Sequence, residues 1–217
     1  MKYYAEFETD KIIRETYFPD LTFKGTIVEV GGATPEFLSM SKHFKDNGWR
    51  AVVIEPNPKF VEEHKTVNNE VYQYACSDEN KFGEFTIVEQ QVNAYGGVVT
   101  DHSFSSIAIK ESYLTKTNLS LSDLKTKKIQ VEIRRLDSIL QDLNIDTVDI
   151  LSIDVEGWEL DVMLGLDTEK INCKLIVVEN FLNDIEYNNY FEKIGYVLKQ
   201  EINYNQIYVK KDVLFTI

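Results

Sequence analysis

The sequence predicts an α/β fold, in which a mostly parallel β-sheet has helices on both faces and an antiparallel hairpin strand at its C-terminal end. Short apolar runs rich in β-branched residues alternate with helix-forming segments, which is typical of parallel strands joined by helices. The last two runs, YVLKQEI and NQIYVKK, flank an Asn-Tyr turn and predict the hairpin. With 217 residues, of which 43% are hydrophobic, one domain can bury a large core.

The order of the elements follows from strand and helix signals along the chain. One helix is predicted over 34–48, with Thr34 as N-cap, Pro35 at the first helical position and Gly48 past the end. Further helices are predicted from Asn57-Pro58, from a cap at Asp137 and over 156–165. The predicted strands are TIVEV (26–30), AVVIE (51–55), VYQYA (71–75), EFTIVEQ (84–90), IQVEIRR (129–135), VDILSID (148–154) and KLIVVEN (174–180).

Two segments depart from this alternation. Residues 1–24 are predicted as an N-terminal helical appendage to a main domain over 25–217. Residues 91–125 are rich in Gly, Ser, Thr and Asn and too long for an ordinary connection, so they are predicted to be an insert that recognises the substrate. Three aromatic residues of the insert suit either stacking on a sugar face or packing within a local hairpin: Tyr95, Phe104 and Tyr113.

Charge and cysteine content restrict the partners and the compartment. With 36 acidic against 23 basic residues the net charge is −13, which keeps the protein soluble and disfavours nucleic acid as a partner. Cys76 and Cys173 lie in apolar stretches without metal-ligand spacing, so buried free thiols in a reducing compartment are expected. No apolar run approaches the ~20 residues of a membrane span and the N-terminus is no signal peptide, so we expect a cytoplasmic protein.

The double glycine in VEVGGATPEF (28–37) predicts a strand end at which a ligand approaches the backbone closely. Alone, Gly31 and Gly32 fit an ordinary strand–helix turn equally well. Glu29 favours a cationic ligand, because a carboxylate repels the pyrophosphate of a dinucleotide, whereas S-adenosylmethionine carries a sulfonium and an ammonium group. Pro35, near the expected third glycine of a dinucleotide motif, fits a cofactor without pyrophosphate.

Acidic residues at other strand ends extend the same interpretation. Glu55 ends the second strand, about 20 residues beyond the glycine turn, where an acid accepts hydrogen bonds from ribose hydroxyls. Asp154 and Glu156 either point together into the crevice or only favour the following helix N-terminus. Glu179 and Asn180, with Asp154, form an oxygen-donor set that suits Mg²⁺, substrate hydroxyls or merely the crevice wall.

The three histidines receive different interpretations. His43 and His64 lie in helical patterns and are expected to be surface or packing residues. His102 lies in the insert, in TDHSFSS, where it is either a general base or a solvated bystander.

Taken together, the motifs resemble those of FkbM-type S-adenosylmethionine-dependent methyltransferases. The similarity extends over about 25–200, and its most specific pieces are EPNP and IDVEGWE. It implies a class I methyltransferase fold, a Rossmann-like three-layer sandwich with a seven-stranded sheet whose last strand is antiparallel. It also implies O-methylation, commonly of sugar or polyketide-type hydroxyls. The sequence departs from the family at Glu29, where aspartate is commoner, and at Pro35, where glycine is frequent.

The resemblance also implies site residues. Glu29, Gly31 and Gly32 would surround the methionine part of the cofactor, and Glu55 would bind the ribose. Asp154 and Glu156 would match the family's Asp-Val-Glu-Gly signature at the active-site strand. The residues implied beside the adenosine and the adenine edge are Pro56, Asn57, Ser77 and Asp78.

We therefore expect methyl transfer to a hydroxyl of a sugar, a glycan or a small metabolite, by in-line displacement. As the base that takes the hydroxyl proton, Asp154 is the first candidate, Glu156 the second and His102 the third. Two alternatives stay open: a non-catalytic nucleoside-binding module and an NAD-dependent oxidoreductase. The sequence leaves monomer and homodimer equally open.

Overall fold

The computed structural model describes residues 1–89, 92–94, 97–99, 105–213 and 215. Its strands are β1 (Thr26–Val30), β2 (Arg50–Ile54), β3 (Glu70–Tyr72), β4 (Ala75–Cys76), β5 (Lys81–Val88), β6 (Val92–Ala94), β7 (Gly97–Val99), β8 (Thr126–Arg134), β9 (Thr147–Ile153), β10 (Asn172–Glu179), β11 (Tyr196–Ile202) and β12 (Asn205–Lys210). Its helices are α1 (Thr9–Tyr17), α2 (Lys42–Asp46), α3 (Pro58–Thr66), α4 (Glu111–Thr117), α5 (Leu136–Asp142), α6 (Glu159–Leu164) and α7 (Ile185–Lys193).

Seven strands form the central sheet, in the order β11-β12-β10-β9-β1-β2-β3. The pairs on either side of β1 are parallel, and β12 runs antiparallel to both β10 and β11. Val30 is in register with Ile54 on β2 and with Ile153 on β9, so the carboxyl ends of these strands meet at one edge. This sheet confirms the predicted fold class, including the antiparallel hairpin strand.

The two faces of the sheet are covered by separate apolar clusters, which makes the molecule a three-layer sandwich. Because side chains alternate along a strand, Ile27 joins one cluster while Val28 joins the other. The Val28 side packs against α5, α6 and α7, and the Ile27 side packs against α1 and α2. Both faces are therefore dry, as expected for a parallel sheet.

A second sheet of three strands, in the order β4-β8-β5, lies outside the central sheet. The predicted strand over 71–75 is divided between the two sheets: β3 ends at Tyr72, and Ala75 pairs with Ile133 of β8. The predicted strands over 84–90 and 129–135 pair antiparallel with each other in this second sheet. The prediction of a single strand over VYQYA was wrong, because periodicity does not reveal where the chain passes from one sheet to another.

The helix predicted over 34–48 is much shorter, since α2 begins only at Lys42. The hydroxyl of Thr34 accepts a hydrogen bond of 3.2 Å from the backbone N–H of Phe37, so it stabilises a single turn. That turn ends at Leu38, whose φ of 61° lies in the left-handed region. Pro35 is therefore a loop residue, and the expectation of a helix N-terminus directly after the glycine turn was wrong.

Of the other predicted helices, one begins at the predicted residues and two begin elsewhere. The α3 prediction is confirmed, because the Asn57 side chain caps the helix by accepting a hydrogen bond of 3.1 Å from the N–H of Lys59. Arg135, not Asp137, occupies the N-cap position of α5. The Asp137 carboxylate instead binds the Arg135 guanidinium and the backbone N–H of Asp167. The helix predicted over 156–165 begins at Glu159.

The N-terminal residues pack against the core and not away from it. Ile13 of α1 is fully buried in the cluster on the Ile27 face, and Ala5 forms an isolated parallel bridge with Leu38. The division into 1–24 and 25–217 stays a prediction. Cys76 and Cys173 are free and buried, as predicted. Within the described residues, no helix has the length and apolarity required to cross a membrane.

Candidate active site

A cavity of about 490 Å³ opens at the carboxyl ends of β1, β2 and β9. This volume lies within the usual range for cofactor and small-ligand sites. The position is the one at which parallel α/β sheets bind ligands. The residues that follow the three strands, Gly31, Glu55 and Asp154, all line the cavity.

Charge in the cavity is strongly one-sided. Among the lining residues that the structure describes, six are acidic and one, Lys59, is basic. The acidic residues are Glu6, Glu29, Glu55, Glu63, Asp154 and Glu156. Such a surface attracts cationic groups and repels phosphates.

The two glycines of the turn are required by packing of the protein itself. Gly31 has a φ of 86°, and a Cβ on it would overlap the carbonyl oxygen of Asp154. A Cβ on Gly32 would overlap the side chain of Val53. Both positions also line the cavity, and the close approach of a ligand to them stays a prediction.

Glu29 lies at the end of β1 and is 5% exposed. Its Oε1 accepts a hydrogen bond of 2.7 Å from the N–H of Met40, and its Oε2 accepts one of 3.2 Å from the N–H of Ser41. The hydroxyls of Ser39 and Ser41 donate to Oε2 as well. Burial raises the pKa of Glu29, although these four hydrogen bonds act in the opposite direction by stabilising the ionised form. Glu29 therefore anchors the loop after the glycine turn.

Glu55 follows β2 and is also 5% exposed. Its Oε2 accepts a hydrogen bond of 2.9 Å from the N–H of Ala33, and its Oε1 accepts one of 2.7 Å from the N–H of Asn57. Burial raises the pKa of Glu55 to about 7, although both donors favour the ionised form. The carboxylate thus connects the glycine turn to the start of α3.

Part of the cavity lining is apolar and aromatic. Its walls include Phe60, Tyr74, Cys76, Phe85 and Ile107, which suit a flat heteroaromatic ring. Pro56 and Asn57 lie in the lining as well, at the start of α3.

Ser77 and Asp78 are not among the described residues that line this cavity. The N–H of Ser77 donates to the carbonyl of Arg134, and its hydroxyl donates to Asp78. Their implied role beside the adenine edge stays a prediction. Cys76, the residue before them in the chain, lines the cavity.

Acidic side chains converge beyond Asp154. Carboxylate oxygens of Asp154, Glu159 and Glu179 lie within 4.8 Å of one another. Asp154 is accessible from the cavity, yet protein surrounds it closely. Two causes raise the pKa of Asp154 well above its usual range. The larger is removal of the carboxylate from water, and the smaller is repulsion from the negative charges of Glu156 and Glu159. Desolvation and Asp154 raise the pKa of Glu179 in the same way.

Glu159 is a site residue that the sequence interpretation missed. It is fully buried, and its Oε1 accepts hydrogen bonds from the N–H groups of Val155 (3.1 Å) and Gly157 (2.9 Å). Its Oε2 accepts one of 2.6 Å from the Tyr187 hydroxyl. Glu159 therefore shapes the turn that presents Asp154 and Glu156. Its position in the motif IDVEGWE is the sequence feature from which its role could have been predicted.

Asn180 binds groups of the protein on either side of the strand end. Its Oδ1 accepts a hydrogen bond of 2.8 Å from the N–H of Asp184, and its Nδ2 donates to the carbonyl of Asp184 and to Gln206. Asn180 therefore holds the chain that follows β10, and the oxygen-donor set of Asp154, Glu179 and Asn180 stays a prediction.

The insert reaches the cavity with residues near its middle. Ser105, Ser106 and Ile107 line the cavity, and Trp158 Nε1 donates a hydrogen bond of 2.9 Å to the carbonyl of Ala108. Tyr113 is 2% exposed and packs against Phe181 as a core residue.

Three candidate residues of the predicted insert lie outside the described residues. They are Tyr95 and Phe104, for which stacking was an alternative, and His102.

Comparisons with known proteins bear on this arrangement. The Methyltransferase FkbM domain matches residues 29–203. The chain is 25% identical over 175 residues to Methyltransferase 1 of Beauveria bassiana, which covers 76% of this chain and 67% of that protein. It is 41% identical over 57 residues to the AMB antimetabolite synthetase AmbE of Pseudomonas aeruginosa, which covers 26% of this chain and 3% of that protein.

A solved structure supports the fold. The crystal structure of Methyltransferase FkbM from Methylobacillus flagellatus KT matches with a TM-score of 0.51 at 14% identity, over 89% of this chain and 46% of that one. At this identity the likeness shows the fold alone, and the chain spans about half the length of that protein. Because the family match covers most of the sequence, the chain belongs to the FkbM methyltransferase family.

Proposed function

We propose that this protein is an S-adenosylmethionine-dependent O-methyltransferase that acts on a hydroxyl of a sugar, a glycan or another small metabolite. The observation that carries the proposal is the cavity at the strand ends, with six acidic lining residues and one basic one among those described. When bound, the cofactor supplies an electrophilic methyl group on a sulfonium. Its cationic groups and the lining carboxylates stabilise each other.

The proposed cofactor contacts follow the order of the strand ends. Glu55 would accept hydrogen bonds from the ribose hydroxyls, with Pro56 and Asn57 beside the adenosine. The apolar wall that includes Phe60 and Phe85 suits the adenine ring. The turn at Gly31 and Gly32 would surround the methionine part, together with Glu29, which holds the loop that follows.

Asp154 is the proposed base that takes the proton of the acceptor hydroxyl. Burial and the neighbouring carboxylates raise the pKa of Asp154, and a carboxylate with a raised pKa is, in its ionised form, a stronger base than an ordinary aspartate. Glu156 follows it in the same lining and is the second candidate. His102 stays the third candidate. A positioned base contributes roughly 10²–10⁴-fold to such a reaction.

The middle of the insert is proposed to bind the acceptor. Ser105, Ser106 and Trp158 line the cavity there, and hydroxyl groups beside an aromatic face suit a polyhydroxylated ring.

A metal ion is not required by this proposal. Glu159, which lies close to Asp154 and Glu179, already accepts three hydrogen bonds, so few of its lone pairs remain for a cation. Magnesium stays a prediction, with Asp154, Glu179 and Asn180 as its predicted ligands.

Incubation of the purified protein with methyl-labelled cofactor and a panel of sugar and small-molecule hydroxyl compounds tests the proposal. We expect label in an acceptor, with mass spectrometry placing the methyl group on oxygen. Label on nitrogen or carbon would contradict O-methylation. Cofactor binding without transfer to any compound of the panel would favour the non-catalytic nucleoside-binding module.

A further inference from the structure

A series of hydrogen bonds connects α3 to the Glu55 carboxylate through His64. The His64 side chain is fully buried. Its Nδ1 lies 2.7 Å from Nδ2 of Asn69, and its Nε2 lies 3.1 Å from the carbonyl oxygen of Ala33. The N–H of Ala33 in turn donates to Oε2 of Glu55 at 2.9 Å. Both ring nitrogens are thus engaged, which a surface or packing histidine does not require.

The direction of each bond in this series follows from Lys45. Its ammonium can only donate, and it contacts Oδ1 of Asn69. The Asn69 amide nitrogen therefore faces His64 and donates to Nδ1. A neutral ring that accepts at Nδ1 has its hydrogen on Nε2, which donates to the Ala33 carbonyl. Burial lowers the pKa of His64 and keeps this neutral form at pH 7.

The backbone conformation of Ala33 is unfavourable and depends on hydrogen bonds with neighbouring side chains. Its φ of 36° is positive, a conformation that residues other than glycine seldom adopt. His64 binds its carbonyl, and Glu55 binds its N–H, so the peptide groups on both sides of its Cα are fixed. Such strain persists only where the surroundings over-determine the backbone.

We propose that His64 is a positioning residue of the cofactor site: it holds Ala33 in the conformation in which the Ala33 N–H orients the Glu55 carboxylate. This inference rests on the proposed function, in which Glu55 accepts hydrogen bonds from the cofactor ribose. His64 acts through Ala33 and touches no reacting atom.

Two substitutions separate hydrogen bonding from packing. In His64→Gln, the side-chain amide nitrogen reaches about the position of Nε2 and keeps a donor to Ala33. In His64→Asn, the shorter side chain reaches only about the position of Nδ1, so the Ala33 carbonyl loses its donor. His43→Asn is the matched control, because His43 is equally buried but lies on α2 and binds the carbonyl of Lys2.

Calorimetric titration with S-adenosylhomocysteine, combined with urea unfolding of each variant, is the test. We expect His64→Asn to bind about tenfold more weakly, as the loss of one buried hydrogen bond implies, and His64→Gln to stay within about threefold of wild type. His43→Asn should lose stability without losing affinity. Equal affinity in both His64 variants, whether unchanged or equally weakened, would overturn the proposal.

Asn69→Ala tests the same series if His64→Asn does not fold. It removes the donor to Nδ1 and leaves the imidazole in place, so we expect affinity to fall about threefold. Unchanged affinity would overturn the proposal. If the wild-type protein itself gives no heat with S-adenosylhomocysteine, the proposed function is refuted. If the wild type binds and the variants bind equally well, only the role of His64 is refuted.

Discussion

Oε1 of Glu29 lies 2.7 Å from the backbone nitrogen of Met40, eleven residues along the chain. With the N–H of Ser41 and the hydroxyls of Ser39 and Ser41, four donors converge on one buried carboxylate. The acid at the end of β1 therefore has a partner in the protein before any ligand binds. Its role in the site is to hold the loop that forms one cavity wall.

Glu29→Gln should destabilise the protein. The amide group would place an N–H against one of the N–H donors of the loop, which costs about 1–3 kcal/mol. Urea unfolding measures this loss. Glu36→Gln, an exposed substitution in the same loop, is the control and should change stability little. Equal effects of the two substitutions would contradict the anchoring role.

Gly31→Ala should cost more than a positive φ alone explains. Alanine at positive φ costs about 1–2 kcal/mol, and at Gly31 the added Cβ would also overlap the Asp154 carbonyl. Gly195→Ala is the matched control, since Gly195 has a φ of 88° with no atom within 4 Å of the added Cβ. Chemical denaturation should show Gly31→Ala as clearly the less stable. Equal stabilities would mean that the strand ends move apart easily.

Glu55→Gln should weaken binding of S-adenosylhomocysteine by tenfold or more, because the ribose hydroxyls donate best to a carboxylate. Glu62→Gln, at an exposed position on α3, removes the same charge and should leave binding unchanged. Calorimetry decides between them. A Glu55→Gln protein that binds like wild type would mean that the ribose lies elsewhere.

The pH dependence of binding should follow the Glu55 pKa of about 7. The other charged groups among the described residues that line its cavity are Glu6, Glu29, Lys59, Glu63, Asp154 and Glu156. As pH falls below about 7 the carboxylate takes up a proton, so affinity should decrease by up to tenfold per pH unit.

The unliganded protein should show the opposite trend. Since the folded pKa of Glu55 exceeds the usual 4.5, its contribution to stability is present below pH 4.5 and is lost as pH rises through about 7. In Glu55→Gln both trends should flatten. A wild-type binding profile that is flat between pH 6 and 8 would contradict the assignment.

Asp154→Asn should remove turnover while keeping the cofactor. Loss of the base is expected to lower kcat by roughly 10²–10⁴-fold, with S-adenosylhomocysteine affinity within a few-fold of wild type. Single-turnover kinetics with labelled cofactor and calorimetry measure the two effects separately. Parallel loss of both would make Asp154 a cofactor ligand and would transfer the base to Glu156 or His102.

The order of the strands and the hairpin could be predicted from the sequence, because β-branched runs and turn residues report directly on local backbone preference. The helix after the glycine turn could not be predicted. Thr34 and Pro35 are good helix-start residues, but the long-range contact between Glu29 and Met40 keeps that stretch in a loop. Tertiary contacts of this kind leave no periodic signal.

The same distinction applies to the site. Glu55 and Asp154 could be located because strand ends in parallel sheets collect ligands. Glu159 and His64 were missed because their importance depends on which backbone groups they bind, the N–H groups of Val155 and Gly157 and the carbonyl of Ala33. No pattern in the chain predicts those partners.

Competitive calorimetry of the wild-type protein with S-adenosylhomocysteine and with NAD tests the choice of cofactor most directly. We expect S-adenosylhomocysteine to bind with measurable heat at pH 8 and NAD to bind far more weakly, because carboxylates line the cavity. Tight binding of NAD with no heat from S-adenosylhomocysteine would contradict the proposed function and would favour the oxidoreductase alternative.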